Sequence, residues 1–228
     1  MFTVLRRHPG TASLLMLSVI CLLQGCSVYP PAENSTVLES VQIKEYSGER
    51  LSSVSDFHDN SIKGAQYVDP VTYRLKVTGL ADQPLSYAYG EVVGKYKGYS
   101  KLVTLDCVEG WSVKILWEGL LVKDLLNDAG VLPAANTVIF HAYDGYTTSL
   151  PLKYVLDNNI LLAYKMNGVT IPGERGFPFQ LVAEQKWGYK WIKWVTEVEL
   201  SDNENYQGYW EKAGYSNDAS LEKPFFDR

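Results

Sequence analysis

The pattern of hydrophobic and polar residues predicts a chain built mainly from short β-strands. In residues 71–78 apolar side chains alternate strictly with polar ones, the period of a half-buried strand. Asn167-Gly168, between two apolar runs, is a strong signal for a hairpin turn. The apolar face of the first strand is predicted to consist of Val71, Tyr73, Leu75 and Val77. Comparable runs predict further strands at 101–108, 137–141, 161–166, 169–171, 179–183 and 192–200.

Two short helices are predicted between these strands. Residues 121–129 carry apolar side chains at helical spacing, and Gly130 ends the pattern. Ser149 is predicted to cap a second helix that has Pro151 in its first turn and runs to about residue 157. The sequence has no internal repeat and no sign of a second domain. The pattern therefore indicates one α+β domain over residues 56–228, rich in strands and with short helices.

The N-terminus has the pattern of a targeting segment, with positive charge followed by an apolar run at 13–23 that is short for a membrane span. The sequence Leu23-Gln24-Gly25-Cys26 then resembles a bacterial lipobox, in which the cysteine is lipidated. An ordinary cleaved signal is the alternative. We predict a lipoprotein signal peptide at 1–25, lipidation at Cys26 and a polar tether at 26–55. Such a protein is extracytoplasmic and is anchored by lipid to the periplasmic face or the cell surface.

Composition narrows the classes of function. Hydrophobic residues make up 46% of the 228 residues and charged residues 21%, which is enough to build a full core. The formal net charge is −5, and no run of basic residues is present. Nucleic-acid binding needs clustered lysine and arginine, so a nucleic-acid partner is not expected.

Cys107 is the only cysteine after Cys26, so the folded body has no partner for an intramolecular disulfide. A lone cysteine of this kind is either a small buried hydrophobe or a reactive or metal-binding thiolate. With His141 as a base, Cys107 could also serve as the nucleophile of a Cys/His hydrolase. One cysteine and two histidines, His58 and His141, match no compact zinc pattern at this spacing.

A basic, aromatic segment lies near the last predicted strand. It contains Lys186, Lys190 and Lys193, with Gly188 between aromatic residues. Backbone N–H groups around a glycine can form an anion-binding nest, and lysine adds charge, so the segment is a candidate phosphate site. A solvated loop beside a strand is the alternative. Neither Gly-x-Gly-x-x-Gly nor a P-loop is present, so a nucleotide is not indicated.

An ordered set of short sequences, from about residue 60 to residue 219, resembles the sulfite oxidase-like molybdopterin-dependent oxidoreductases. The resemblance is greatest to the bacterial branch related to the catalytic subunit of periplasmic methionine sulfoxide reductase. One such piece would be weak, but the ordered set is specific. The matching pieces are 60–64, 107–111, 117–119, 144–146, 149–152, 162–164, 187–190, 192–194, 208–210 and 214–215.

The resemblance implies a single molybdopterin holding molybdenum, with the Cys107 thiolate as metal ligand and catalytic residue. A soft thiolate suits such a site, and burial beside a cation is expected to keep the thiolate deprotonated. By position, the phosphate would lie on residues 190–193 and the pterin in the 57–60 loop near Arg175. The cofactor-binding residues implied in this way are His58, Asn60, His141, Arg175, Lys190, Trp191, Ile192 and Lys193.

The resemblance also implies two-electron oxygen-atom transfer on a small-molecule substrate. Gln180 stands where relatives often have arginine, and the body has few arginines, so an anion pocket for sulfite is not expected. Sulfoxide-type reduction is therefore favoured over sulfite oxidation. The chain has no haem or iron–sulfur ligands, which implies a separate electron-transfer partner such as a haem-bearing membrane protein. The alternative is a cofactor-free binding lipoprotein that kept the fold.

Overall fold

Two β-sheets carry most of the core, and the computed structural model describes them within residues 38–226. One five-stranded sheet has the order β10-β9-β6-β5, with β11 also paired to β9. The other has the order β4-β3-β12-β7-β8. The strands are β1 Glu45–Tyr46, β2 Glu49–Arg50, β3 Arg74–Gly79, β4 Leu85–Ala88, β5 Tyr99–Asp106, β6 Ser112–Leu121, β7 Thr137–Ala142, β8 Thr147–Pro151, β9 Leu161–Met166, β10 Val169–Thr170, β11 Gln180–Val182 and β12 Val195–Ser201.

Short helices connect the strands. They are α1 Tyr89–Lys95, α2 Val122–Ala129 and α3 Leu152–Asp157, and single 3₁₀ turns lie at Gly173–Arg175, Gly188–Lys190 and Glu211–Ala213. The prediction of a strand-rich α+β fold with short helices is confirmed. The predicted cap of the second helix is wrong, because Ser149 lies inside β8 and its hydroxyl donates to the Tyr206 carbonyl. Pro151 instead precedes the helix, where its fixed φ suits the helix start.

The second sheet is mixed, since β12 pairs in parallel with β3 and antiparallel with β7. Leu75, Val77 and Val198 are fully buried on its inner face, as alternation predicts. The first predicted strand begins too early, because Val71 is 79% exposed in a turn before β3. In the last strand a register shift between Val195 and Glu197 interrupts the predicted alternation.

The Asn167-Gly168 hairpin is confirmed between β9 and β10. Asn167 has φ +48° and Gly168 has φ +79°, the left-handed conformation that both central residues of a type I′ turn require. The amide of Asn167 is fully buried and accepts from the Leu116 N–H at 3.0 Å. The turn that joins β9 to β10 is therefore also hydrogen-bonded to β6.

Residues 38–55 pack on the domain, although sequence analysis assigned them to the tether. Leu38, Leu51 and Val54 are buried, and β1 and β2 form a small hairpin. The described domain thus begins before residue 56. The predicted signal peptide and Cys26 lie outside the described residues. Within the part that is described, no helix is both long enough and apolar enough to span a membrane.

Candidate active site

Cys107 lies in the tight turn that joins β5 to β6. Its N–H donates to the Trp111 carbonyl at 2.9 Å, and its own carbonyl accepts from Gly110 N–H at 3.0 Å. Gly110 has φ +86°, a conformation that a residue with a Cβ adopts at a cost. The turn lies at the end of an eight-residue ladder between β5 and β6, which fixes the position of the thiol.

The thiol is 8% exposed and is surrounded by hydrogen-bond donors. The Asn60 amide donates to Sγ at 3.6 Å, and hydrogen bonds from the backbone of Glu109 and Val108 also lower the pKa of the thiol. Burial outweighs them and raises the pKa of Cys107 above its usual value. The expectation that a neighbouring cation keeps the thiol ionised is therefore wrong. A metal bound at Sγ would displace the proton and stabilise the thiolate, as at other metal-ligating cysteines.

A cleft of about 270 Å³ opens above Cys107, which is near the lower end for small-ligand sites. Its walls are aromatic and polar. The lining residues beyond the 57–62 loop and the Cys107 turn are Leu105, Asp144, Tyr146, Arg175, Gln180, Gly188, Tyr189, Trp191, Ile192, Lys193, Trp194, Trp210 and Tyr215. The structure thus brings Cys107 together with His58, Asn60, Arg175, Trp191, Ile192 and Lys193, all predicted from the sequence.

The 57–60 loop forms one wall of this cleft. Phe57 packs edge-on against Trp111 and Trp117, with ring centroids 6.2 Å apart in each pair. His58 stacks on Trp111 at 5.3 Å. The amide of Asn60 reaches the sulfur, so the loop crosses directly over the Cys107 turn.

The opposite wall is built by the 3₁₀ turn at Gly188–Lys190. A Cβ on Gly188 would lie 3.3 Å from the Asp106 carbonyl and 3.4 Å from the Cys107 Cα. A side chain here would require the Asp106 carbonyl to shift by a few tenths of an ångström, so glycine allows the closest approach of this turn to Cys107. The Tyr146 hydroxyl donates to the Tyr189 carbonyl at 2.5 Å and braces this turn against the β7–β8 connection.

Lys193 and Arg175 supply positive charge to the cleft. Lys193 Nζ lies 4.4 Å from the Trp194 ring centroid and 3.5 Å from Asp59 Oδ1, a long ion pair. Burial lowers the pKa of Lys193 from its usual value, and the nearby Arg175 adds to that effect. The Arg175 guanidinium lies 5.6 Å from the Phe57 ring centroid. Lys193 therefore has a long ion pair, and Arg175 Nε has no hydrogen-bond partner among residues 38–226.

Lys190 does not line the cleft, contrary to its predicted role on the phosphate. Its side chain is completely buried behind the cleft wall. The ammonium donates to Glu211 at 2.5 Å, to the Ser149 carbonyl at 3.0 Å and to Asn217 Oδ1 at 3.0 Å. A lysine has three N–H donors, and all three are in use. Lys190 therefore ties the C-terminal segment to β8 and has no donor left for a ligand.

His141 also lies away from the cleft lining. It is on β7, and its Nε2 is 2.7 Å from Glu199 Oε2. The ligand atoms of His141, Glu197 and Glu199 lie within 4.8 Å of one another on the outer side of the mixed sheet. The structure does not bring the imidazole and the Cys107 thiol into one site, so the Cys/His hydrolase hypothesis loses its base.

Several cleft residues were not predicted as site residues. Asp144 is buried and accepts from the Tyr146 N–H at 2.9 Å, while Trp210 and Tyr215 come from the C-terminal segment. These three residues lie in short sequences that carry the family resemblance, and that resemblance is the sequence signal that could have identified them. Gln180 is 3% exposed, and its Oε1 has no hydrogen-bond partner among residues 38–226. The Arg175 Nε is likewise buried without a partner in that range.

The fold and the thiol in its cleft define a cofactor-binding enzyme, and comparison with known proteins identifies the family. A family model described as "Oxidoreductase molybdopterin binding domain" matches residues 62–210. The uncharacterized oxidoreductase YuiH of Bacillus subtilis (strain 168) is 37% identical over 150 residues, covering 65% of this chain and 75% of that protein. The chain therefore belongs to the molybdopterin-binding oxidoreductases and is a sulfite oxidase-like enzyme of the bacterial type.

Other relatives are more distant. The chain is 29% identical over 157 residues to the protein-methionine-sulfoxide reductase catalytic subunit MsrP of Gluconobacter oxydans (strain 621H), covering 61% of this chain and 50% of that protein. Mitochondrial sulfite oxidase of Mus musculus is 30% identical over 178 residues, and the match covers 65% of this chain and 32% of that enzyme. The sulfane dehydrogenase SoxCD of Paracoccus pantotrophus shares the fold, with a TM-score of 0.61 at 20% identity over 85% of this chain and 60% of that one.

The residues of the cleft fit a molybdenum cofactor. A pterin carries both N–H donors and acceptors, which suit the unpaired Gln180 Oε1 and Arg175 Nε. An unpaired buried polar atom costs free energy, and a ligand that pairs it removes that cost. The donors around Sγ favour a thiolate once a metal replaces the proton. Each of these features is explained by a ligand above Cys107.

Proposed function

We propose that this protein is an exported, lipid-anchored molybdenum-cofactor oxidoreductase that transfers an oxygen atom to or from a small molecule by two-electron chemistry. The observation that carries the proposal is the buried Cys107 thiol beneath a cleft that also holds unpaired polar atoms. Bound there with one molybdopterin, molybdenum would supply the oxygen-atom transfer and the electron exchange. Cys107 would be the metal ligand.

The other cleft residues would bind and orient the cofactor. The 57–60 loop would cover the pterin with His58 and Asn60, and Arg175 and Lys193 would pair with its anionic phosphate. Trp191 and Ile192 are buried beside them and would exclude water from that end of the cleft. Lys190 and His141 have no such role, because neither lines the cleft and the Lys190 ammonium and the His141 Nε2 have other partners.

The charge of the cleft favours sulfoxide-type reduction over sulfite oxidation. Three carboxyl groups, those of Asp59, Glu109 and Asp144, face the cleft with only two cations, Arg175 and Lys193. With both cations paired to the phosphate, the lining would leave no cation for an anion such as sulfite, whereas a neutral sulfoxide needs none. Aromatic rings of Trp111, Trp210 and Tyr215 provide an apolar surface for its substituents.

Electrons would be exchanged with a separate partner. The relative MsrP is named as a catalytic subunit, which implies a second component in that enzyme. Apart from Cys107, the described residues contain no cysteine, so they offer no iron–sulfur ligands of their own. We infer that a redox protein, such as a haem-bearing membrane protein, serves this chain in the same way.

Metal analysis tests the central proposal. Full-length protein from a molybdenum-replete host should contain about one molybdenum and one pterin per chain. Cys107→Ser should reduce the molybdenum content at least about tenfold, because it replaces the soft protein ligand. Ser112→Ala, at an exposed position five residues away, is the matched control and should keep the metal. Wild-type protein with neither metal nor pterin would overturn the proposal in favour of a cofactor-free binding lipoprotein.

Two further experiments test its other parts. Turnover of a neutral sulfoxide but not of sulfite by the loaded enzyme would support the assignment of substrate class, and the reverse preference would refute it. Membrane association that is lost in Cys26→Ser would support the lipid anchor. Wild-type protein found entirely in the soluble periplasmic fraction would exclude that anchor.

A further inference from the structure

The segment 38–55, called the strap here, runs along β6 and ends directly before the loop that covers Cys107. Ser52 N–H donates to the Lys114 carbonyl at 2.9 Å, and Lys114 N–H donates back to Ser52 Oγ at 3.0 Å. Ile43 N–H donates to the Asn167 carbonyl at 2.8 Å. The strap therefore has specific contacts with β6 and with the β9–β10 turn.

A buried pair of amides fixes the strap. The Asn167 side-chain amide donates to Gln42 Oε1 at 3.1 Å and to the Ser52 carbonyl at 2.8 Å. Gln42 Oε1 also accepts from Val54 N–H at 3.0 Å, and the Gln42 amide donates to Ser53 Oγ at 2.6 Å. Gln42 is 7% exposed and Asn167 is fully buried. If either side chain is lost, the polar groups that it paired stay buried, and water cannot take its place as a hydrogen-bond partner.

Val54 lies only three residues before Phe57, so the amide pair limits where the loop can go. The loop then contacts separate parts of the cleft. Phe57 packs on Trp117, Asp59 pairs with Lys193, and Asn60 reaches the Cys107 sulfur. The strap and these loop residues all precede residue 62, where the family match begins. Their place in the site thus rests on the structure of this chain.

We propose that Gln42 and Asn167 are positioning residues that hold the strap and so keep the Asn60 amide on the Cys107 thiol. The contact itself is independent of any cofactor. Its importance for the metal ligand rests on the proposed function.

The accessibility of the Cys107 thiol tests the proposal. Full-length protein made in a host that lacks the molybdenum cofactor is treated with a maleimide, and labelling of Cys107 is followed by peptide mass spectrometry. Gln42→Met keeps the shape of the side chain but accepts no hydrogen bond, and should speed labelling about tenfold. Gln42→Glu keeps both acceptor contacts, to Val54 and Asn167, but loses the donor to Ser53, and should speed labelling much less than Gln42→Met. All rates are compared at the high-pH plateau of labelling, where the pKa change caused by loss of the Asn60 hydrogen bond does not enter, and Asn60→Ala is the positive control.

Gln83→Ala, at an exposed glutamine far from the strap, should not change the rate. Folded Gln42→Met that is labelled at the wild-type rate, or equal acceleration by Met and Glu, would overturn the proposal. If Gln42→Met does not fold, Asn167→Asp replaces it, because it keeps an oxygen that accepts from Leu116 and loses the amide that donates to Gln42 and to the Ser52 carbonyl. An unchanged rate in that variant would also overturn the proposal. Since no cofactor is present, these outcomes are distinct from a failure of the metal analysis.

Discussion

Two lysines three residues apart, Lys190 and Lys193, belong to one sequence motif but lie in different surroundings. Lys190 is completely buried behind the cleft wall, where Glu211, Ser149 and Asn217 use all its donors. Lys193 lines the cleft, and its ammonium lies 3.5 Å from Asp59 Oδ1. Burial lowers the pKa of both lysines, and a carboxylate opposes that effect in each case, Glu211 at 2.5 Å from Lys190 and Asp59 at 3.5 Å from Lys193.

The difference distinguishes two parts of the molecule: the surroundings of Lys190, which stabilise the fold, and the surroundings of Lys193, which are suited to bind a ligand. Behind the wall, the Lys190 ammonium has three acceptors, one of them Glu211 Oε1, although Glu211 Oε2 is buried without a partner among residues 38–226. On the cleft face, Arg175 Nε and Gln180 Oε1 are buried without a partner among residues 38–226, and the half-buried Lys193 has a long ion pair with Asp59. Buried polar groups without partners are costly, and such groups concentrate where a ligand binds. Variants at the two lysines should therefore affect different measurements.

The largest effect is expected from breaking the buried pair. Lys190→Met leaves the Glu211 carboxylate buried without its cation and should lower the free energy of unfolding by about 3–5 kcal/mol. Urea denaturation followed by fluorescence measures this loss. The double variant Lys190→Met/Glu211→Met should recover much of it, because a well-packed apolar pair replaces the ion pair. A Lys190→Met protein of wild-type stability would remove the distinction between the two lysines.

A smaller effect is expected from neutralising the carboxylate alone. Glu211→Gln keeps the side-chain shape and one carbonyl acceptor for Lys190 or Thr148, but removes the charge. The free energy of unfolding should fall by about 1–3 kcal/mol, because charge-assisted hydrogen bonds become neutral ones. The same denaturation experiment measures it. A loss larger than that of Lys190→Met would mean that Glu211, rather than the lysine, is the central group.

On the cleft side the effect should appear in the cofactor content. Lys193→Met is expected to lower molybdopterin retention about tenfold, because one cation is removed from the phosphate site, while the unfolding free energy changes by less than about 1 kcal/mol. Pterin released after dialysis gives the first quantity and urea denaturation the second. Lys193→Arg, which keeps the charge, should retain the pterin. Equal retention in Lys193→Met and wild type would place the phosphate elsewhere.

The smallest effect is a shift in pH dependence at Cys107. Because burial raises the pKa of this thiol, less thiolate is present at neutral pH, and maleimide labelling of cofactor-free protein should still be rising above pH 9. The Asn60 hydrogen bond lowers that pKa, so Asn60→Ala should move the labelling midpoint to still higher pH. A midpoint below that of an unfolded cysteine peptide would contradict the proposed surroundings.

Much of the fold could be predicted because its signals are local. The Asn167-Gly168 turn, the helix ended by Gly130 and the strand that leads to Cys107 all appear as expected. The errors occurred where tertiary contacts decide. Ser149 resembles a helix cap but pairs in β8, and the register shift near Val195 is set by the neighbouring strands.

By itself the sequence determined the α+β class, the family resemblance and Cys107 as the central residue, because these depend on residue types and on the order of short motifs. Only the tertiary structure decided which polar residues face the cleft. Lys190 and Lys193 are the same residue type and lie three positions apart. Their different roles come from Glu211, which pairs with Lys190 and lies about twenty residues after it in the chain. The tertiary structure also decided that the strap packs beside the site, since Gln42 contacts Asn167 only in the folded chain. Partners distant in sequence decide whether a buried charge is satisfied.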